Sequence, residues 1–210
     1  MAALPDYGVL LFGIPEHKDA EGSEAANPDG IVQVALRELR DEVGDELVLI
    51  ADLCVDEYTD HGHCGVLGDD GEVDNDATLE LYAAAALAQA EAGADIVAPS
   101  GMMDGQVGFI RDALDEEGFD DTIILAYAAK YASALYGPFR DAVDVSIAGG
   151  GDRKGYQQDI RNARELVVTS SYVNGNYTYS TFYVFRMDGG IDVIQSPTSA
   201  AHILIIVVRP

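Results

Sequence analysis

The sequence predicts an α/β chain built on a parallel sheet. Short apolar runs that suit buried strands alternate with longer amphipathic stretches that suit helices, and the most reactive side chains fall just after the strand runs. Gly8–Ile14 reads as the first strand. Ile31–Val43 follows as a helix, with Val32, Ala35, Leu36 and Leu39 at helical spacing. Leu47–Asp52 is a second strand, and the glycine- and aspartate-rich stretch His61–Asp76 is a loop. Ala77–Ala92 predicts a helix capped by Asp76. Ala94–Ala98 is a strand, and Val107–Glu117 is a helix ended by Gly118. Thr122–Ala128 is a strand, and Val143–Ala148 is a further strand candidate. Cys54, Ser100 and Lys130 each follow a strand, where sites lie both in (β/α)8 barrels and in open α/β sheets. No G-x-G-x-x-G or P-loop lysine follows a strand, which weakens a nucleotide-binding reading.

A chain of 210 residues suits one domain with a sizeable core. Acidic residues outnumber basic ones 37 to 12, for a formal charge of −25. Such a field repels nucleic acid and anionic membranes, and the compact state then benefits from screening salt. The acids are spread along the chain rather than gathered in a tail, and lysines are few. That pattern points to the salt-rich cytoplasm of a halophile, against the plainer reading of an ordinary acidic surface. The two cysteines, Cys54 and Cys64, do not make a disulfide framework. The N-terminal apolar stretch is too short for a signal peptide, and Ile203–Val208 is too short to span a bilayer. A soluble, cytoplasmic protein is expected.

Composition changes near Leu166. Beyond it the only charged residues are Asp188, Asp192, Arg186 and Arg209, with no glutamate or lysine. This stretch is rich in Tyr, Ser, Thr and Val, and Asn176–Phe185 alternates in a way that suggests a hairpin or aggregation-prone strands. Residues 1–165 are therefore expected to form the domain. Residues 166–210 are an atypical tail, read either as a small β extension or as sequence foreign to the domain, such as read-through after a frameshift or insertion.

The chain has three lysines, Lys18, Lys130 and Lys154. Lys130 lies in the apolar run Ile123–Tyr136, and lysine is almost never fully buried without a partner. Desolvation would lower its pKa and free an amine able to attack a carbonyl and form a Schiff base. The alternative is a stem lying along apolar surface with its head in water. A second cluster, Asp52–Gly65, concentrates two cysteines, two histidines and several carboxylates. Thiolate, imidazole and carboxylate all bind zinc, and three protein ligands plus water make a catalytic site. Cys54 and Asp56 share a face of an extended segment, and a turn through Gly62 can return Cys64 to them. The competing reading is two reduced structural cysteines beside a polar loop, since the spacing matches no common zinc finger.

Seven stretches taken together resemble the porphobilinogen synthase, or 5-aminolevulinate dehydratase, family. They are Asp52–Cys64, Val73–Asp76, Glu91–Ser100, Met102–Gly105, Ala129–Ser133, Tyr136–Arg140 and Gly151–Gln157, in the family's order over positions 8–165. The resemblance implies a (β/α)8 barrel, here incomplete and truncated at both ends, and a homo-octameric assembly. It implies condensation of two 5-aminolevulinate molecules to porphobilinogen with loss of two waters, in tetrapyrrole and haem biosynthesis. Lys130 matches one of two Schiff-base lysines, and Asp52 and Ser100 match polar catalytic residues. Arg140 and Arg153 match arginines that bind the substrate carboxylate, a role suited to guanidinium geometry. Tyr136, Phe139 and Gln157 line the same site by resemblance.

The metal ligands become Cys54, Asp56 and Cys64. Asp56 stands where zinc-dependent members carry a thiolate, which shifts preference toward weaker zinc, or toward magnesium or manganese. Gly101 departs from the acid that the family usually has before Met102-Met103. The second Schiff-base lysine has no counterpart, since no lysine follows Lys154. Two other functions stay open: a catalytically dead remnant of the enzyme, and a class I aldolase-type barrel, which accounts for Lys130 but not for the cysteine cluster.

Overall fold

The structure, a computed structural model, describes residues 7–127, 130–132, 137–148 and 152–158, together with the backbone of three strands in the tail. Tyr136 and Asn176 to Ser180 lie outside the described residues. Strand β1 (Tyr7–Gly13) leads through a 3-10 turn (Ser23–Ala26) to helix α1 (Ile31–Val43). Then follow β2 (Val48–Leu53), α2 (Asn75–Glu91), β3 (Ile96–Pro99), α3 (Gln106–Glu116), β4 (Ile123–Ile124) and the short α4 (Gly137–Ala142). In the tail lie β5 (Thr181–Phe185), β6 (Ile191–Gln195) and β7 (His202–Val208).

The main sheet runs β4-β3-β2-β1-β7, and every pair in it is parallel. Alternation along the strands divides the core. Val9 and Leu11 of β1 join Leu49 and Ala51 of β2 against Val32 and Leu36 of α1. Leu10, Phe12, Val48 and Ile50 face the other way and meet Ala98, Val143 and Val145. Beyond β2, Leu53 and Val97 pack under α2 and α3 with Tyr82, Ile110 and Leu114. A strand buried on both faces reads as a continuous apolar run, as Val48–Ala51 does before Asp52 interrupts it. Asp95 ties the layers together: its Oδ2 accepts from the Leu49 backbone N–H and from Arg40 Nη2, each at 2.8 Å.

Three expectations shift. The cap of α2 is Asp74, whose Oδ1 accepts from Ala77 N at 3.0 Å; Asp76 lies inside the first turn instead. A carboxylate caps by reaching the N–H three residues on, and Asp74 has the extended backbone this needs. The strand expected over Thr122–Ala128 shortens to Ile123–Ile124, although Leu125 N still donates to Val97 O and Tyr127 N to Pro99 O. Val143–Ala148 is not a strand: it continues from α4 as a loop, in which Val143 and Val145 are buried against the face formed by Leu10, Phe12, Val48 and Ile50. The alternating tail segment contributes Thr181–Phe185 as β5, antiparallel to β6, while Ile203–Val208 falls in β7.

The tail thus supplies a neighbour for β1. β7 pairs along the whole of β1, from Tyr7↔His202 to Gly13↔Val208. An unpaired apolar edge is a template for aggregation. Deleting residues 202–208 is therefore expected to increase self-association; a sedimentation profile unchanged by the deletion would show that β7 does not guard this edge.

Candidate active site

The site gathers where β2, β3 and the segment after β4 end. Beyond Leu53 the chain leaves β2 with Cys54, Val55, Asp56 and Glu57 all buried. The loop then returns Cys64, so that Cys54 Sγ, a carboxylate oxygen of Asp56 and Cys64 Sγ lie within 4.8 Å of one another. Gly62 makes the return: its φ of 71° is left-handed, and a Cβ there would meet Ser146 O at 2.3 Å. His61 locks the turn. Its Nδ1 accepts from His63 N at 3.1 Å, which leaves Nε2 to carry the proton toward Ala20 O, also at 3.1 Å. Tyr156 Oη accepts from Cys64 N at 3.2 Å, and Tyr82 Oη donates to Cys64 O at 2.6 Å.

Lys130 is buried, 7% exposed, and its Nζ donates to Ser100 O at 2.7 Å. Ser100 Oγ donates to Asp52 Oδ2 at 3.2 Å, and Gln89 Nε2 holds the Asp52 carbonyl at 2.9 Å. The second oxygen of Asp52 is buried with no hydrogen-bond partner among the described residues. A bridge between Tyr131 and Gln158 brings the 152–158 segment beside Lys130: Gln158 N donates to Lys130 O at 3.2 Å, and Ala132 N to Gln158 O at 3.0 Å. That segment buries Arg153, whose Nη2 donates to Asp56 Oδ2 and to Gly62 O, both at 2.8 Å. Gln157, also buried, donates its N–H to Arg153 O.

Charge dominates this pocket. Burial would raise the Asp56 carboxyl, but Arg153 and Lys130 outweigh it and hold it well below the ordinary range. Burial pushes the Cys54 thiol up, while its hydrogen bond to Cys64 draws the Cys64 thiol down. Burial raises Asp52 to about 7, against the pull of Lys130. Lys130 goes opposite to the expectation from burial alone. Desolvation lowers it, yet Cys64, Cys54, Asp56 and Asp52 more than offset this and raise it above its ordinary value. These groups therefore favour the ammonium form of the amine.

Lys130, Asp52, Ser100, Arg153, Gln157, Cys54, Asp56 and Cys64 thus stand in one buried constellation. Two others do not join it by side-chain hydrogen bonds among the described residues. Phe139 packs edge-on against Phe12, with ring centroids 5.1 Å apart, as part of the core. Arg140 is half-buried on α4, with its carbonyl accepting from Val145 N. Tyr136 lies outside the described residues. Sequence reasoning passed over Glu57, Tyr82 and Tyr156. Burial, with Asp56 and Asp52 close by, holds the Glu57 carboxyl well above its usual range. Glu57 and Tyr156 sat within stretches already singled out, and Tyr82 was a lone polar-tipped ring in an alanine run.

Removing Arg153 would leave Asp56 as an uncompensated buried charge. Arg153→Leu is expected to cost about 3–5 kcal/mol at neutral pH. Because Asp56 titrates lower in the folded chain than in the unfolded one, the stability it contributes is present above the ordinary carboxylate range and fades as pH falls through it. The gap in urea midpoint between wild type and variant should therefore narrow on acidification; a gap independent of pH would refute the pair's role.

The family model for delta-aminolevulinic acid dehydratase matches residues 5–172. The delta-aminolevulinic acid dehydratase of Streptomyces coelicolor is 66% identical over 160 residues, covering 75% of this chain and 48% of that protein. That of Archaeoglobus fulgidus is 54% identical over 158 residues, with 75% and 48% covered. The crystal structure of the Toxoplasma gondii ME49 enzyme, in complex with the reaction product porphobilinogen, superposes with a TM-score of 0.72 at 46% identity. That alignment covers 74% of this chain and 45% of the other. The chain spans about half the length of the curated relatives it matches. The parallel β4-β3-β2-β1 run with its helices is part of a (β/α)8 barrel, and the chain belongs to the delta-aminolevulinic acid dehydratase family.

Proposed function

We propose that this chain carries one Schiff-base half of a site that condenses two 5-aminolevulinate molecules to porphobilinogen with loss of two waters, in tetrapyrrole and haem biosynthesis. The observation that carries the reading is the burial of Lys130 beside Asp52 and Ser100, together with the Cys54/Asp56/Cys64 donor group. Family membership supports the same reading.

In this reading the Lys130 amine attacks the ketone carbon of the substrate. The resulting carbinolamine loses water, leaving a Schiff base. The amine must first give up a proton, and Asp52, poised near neutrality, is the carboxylate suited to take it. Ser100 orients both groups, through its carbonyl to Lys130 and its hydroxyl to Asp52. Arg153 binds the substrate carboxylate: its Nη2 is committed, but its Nε is buried with no partner among the described residues. Gln157 buttresses that arginine, and Arg140, Phe139 and Tyr136 complete the substrate pocket by family resemblance.

The donor group fits a divalent cation. Three buried ligand atoms converge within 4.8 Å, and a set of two thiolates and one carboxylate suits zinc, with the hard oxygen also admitting magnesium. When bound, such an ion would supply Lewis acidity and activate water. In this reading residues 1–165 are the barrel part and 166–210 an atypical tail that lends β7 to the sheet; the family match ends at residue 172, near the change in composition. The acid excess supports a salt-rich cytoplasm as the setting, and a homo-octamer is the assembly that the family resemblance implies. None of the described helices is long and apolar enough to cross a membrane.

A second reading is favoured by one observation: no lysine follows Lys154 within the 210 residues. In this reading the 210 residues trap one substrate on Lys130, and the amine for the other is not among them. Borohydride reduction in the presence of 5-aminolevulinate is expected to fix one substrate on Lys130, detected by mass spectrometry and absent from Lys130→Ala. Porphobilinogen is not expected at a normal rate. No adduct would refute the Schiff-base role, and robust turnover by the purified chain would refute the remnant.

A further inference from the structure

Tyr82 and Gly101 occupy one another's space. Tyr82 is fully buried on α2, and Gly101 follows Ser100 beyond the end of β3. A Cβ on Gly101 would lie 1.5 Å from Tyr82 Oη, 2.5 Å from its Cζ and 2.7 Å from its Cε2. No rotation of a methyl relieves such an overlap, so a tyrosine hydroxyl here requires glycine at 101. The room left by the missing side chain is filled by the hydroxyl itself.

That hydroxyl touches both sulfur-bearing residues. It donates to Cys64 O at 2.6 Å and lies 3.8 Å from Cys54 Sγ, within reach of a sulfur hydrogen bond. Cys54 follows β2, whereas Cys64 is borne by the loop that returns through Gly62. The two are ten positions apart in the chain, and Tyr82 ties both to the rigid helix α2. It also abuts Gly101, next to the Ser100 carbonyl that holds Lys130.

We propose that Tyr82, admitted by Gly101, is a positioning residue that fixes the spacing of Cys54 and Cys64 for a soft divalent cation. The proposal rests on the reading that Cys54, Asp56 and Cys64 hold a metal. Groups that orient metal ligands commonly carry about 10- to 100-fold of affinity.

Cobalt(II) titration of the reduced 210-residue chain tests it, because thiolate-to-cobalt charge-transfer bands report sulfur ligation directly, apart from any activity. Tyr82→Phe keeps the ring and removes the hydroxyl; it is expected to bind cobalt at least about tenfold more weakly with weakened charge-transfer bands, at wild-type far-ultraviolet circular dichroism. Gly101→Ala keeps the hydroxyl but drives it off the sulfurs, so it should lose affinity by a similar factor and covers the case in which Tyr82→Phe does not fold. In a Tyr82→Leu background, where the clash is gone, Gly101→Ala should add no further loss. Wild-type affinity and bands in Tyr82→Phe, or full additivity of Gly101→Ala with Tyr82→Leu, would overturn the positioning role alone. A wild-type chain without charge-transfer bands would overturn the metal reading and this inference with it.

Discussion

The buried pair of Arg153 with Asp56 is the constraint on which the site depends. It joins positions 97 apart in sequence, and both side chains are nearly inaccessible, at 7% and 5% exposure. Two ions taken out of water are tolerated only when the geometry is good and the remaining donors and acceptors are used. Here the arginine also donates to the Gly62 carbonyl, at the turn that returns Cys64. One guanidinium therefore secures the carboxylate after β2, the turn of the loop and the 152–158 segment that lies beside Lys130.

The same economy of charge explains the behaviour of Lys130. Burial alone argues for a free amine, but the negative charge that Cys64, Cys54, Asp56 and Asp52 can carry beside the lysine favours the cation. The lysine and the donor group are thus halves of one electrostatic unit. A cation on the sulfurs would offset the negative charge that now holds the ammonium, which links the two chemistries that the sequence presents as separate motifs. Asp52, raised to about 7 by burial, is the group through which a proton can leave without creating a new buried charge.

Much of this was legible in the chain. The order of strands and helices follows from hydrophobic periodicity, and α1 matches its expected bounds because its apolar stripe and the following Gly44 both mark them. The cluster at Cys54, Asp56 and Cys64 was legible because alternate residues of an extended segment share a face and a glycine marks the return. What was not legible depends on tertiary contact. Val143 and Val145 read as a strand because burial beneath a sheet demands the same apolar residues whether or not the backbone pairs. The cap of α2 moved from Asp76 to Asp74 because several acids nearby could serve, and only backbone geometry selects one. The reversal at Lys130 could not be read from its own apolar run, since the groups that cause it come from the distant Asp52–Cys64 stretch. Tyr82 was hidden by an alanine-rich helix, and its meaning rests on a glycine nineteen positions away.

The pairing of β1 with β7 has a consequence in time. Tyr7 pairs with His202, so the earliest described strand takes its neighbour from nearly the far end of the chain. During synthesis β1 can pair with β2 as soon as the first helix has formed, but its other edge must wait for almost all the remaining residues. Closing so long a loop is slow, and the waiting edge is apolar. Between the emergence of β2 and that of β7 the nascent chain therefore carries an exposed strand edge, and contacts with neighbouring nascent chains are most harmful in that interval.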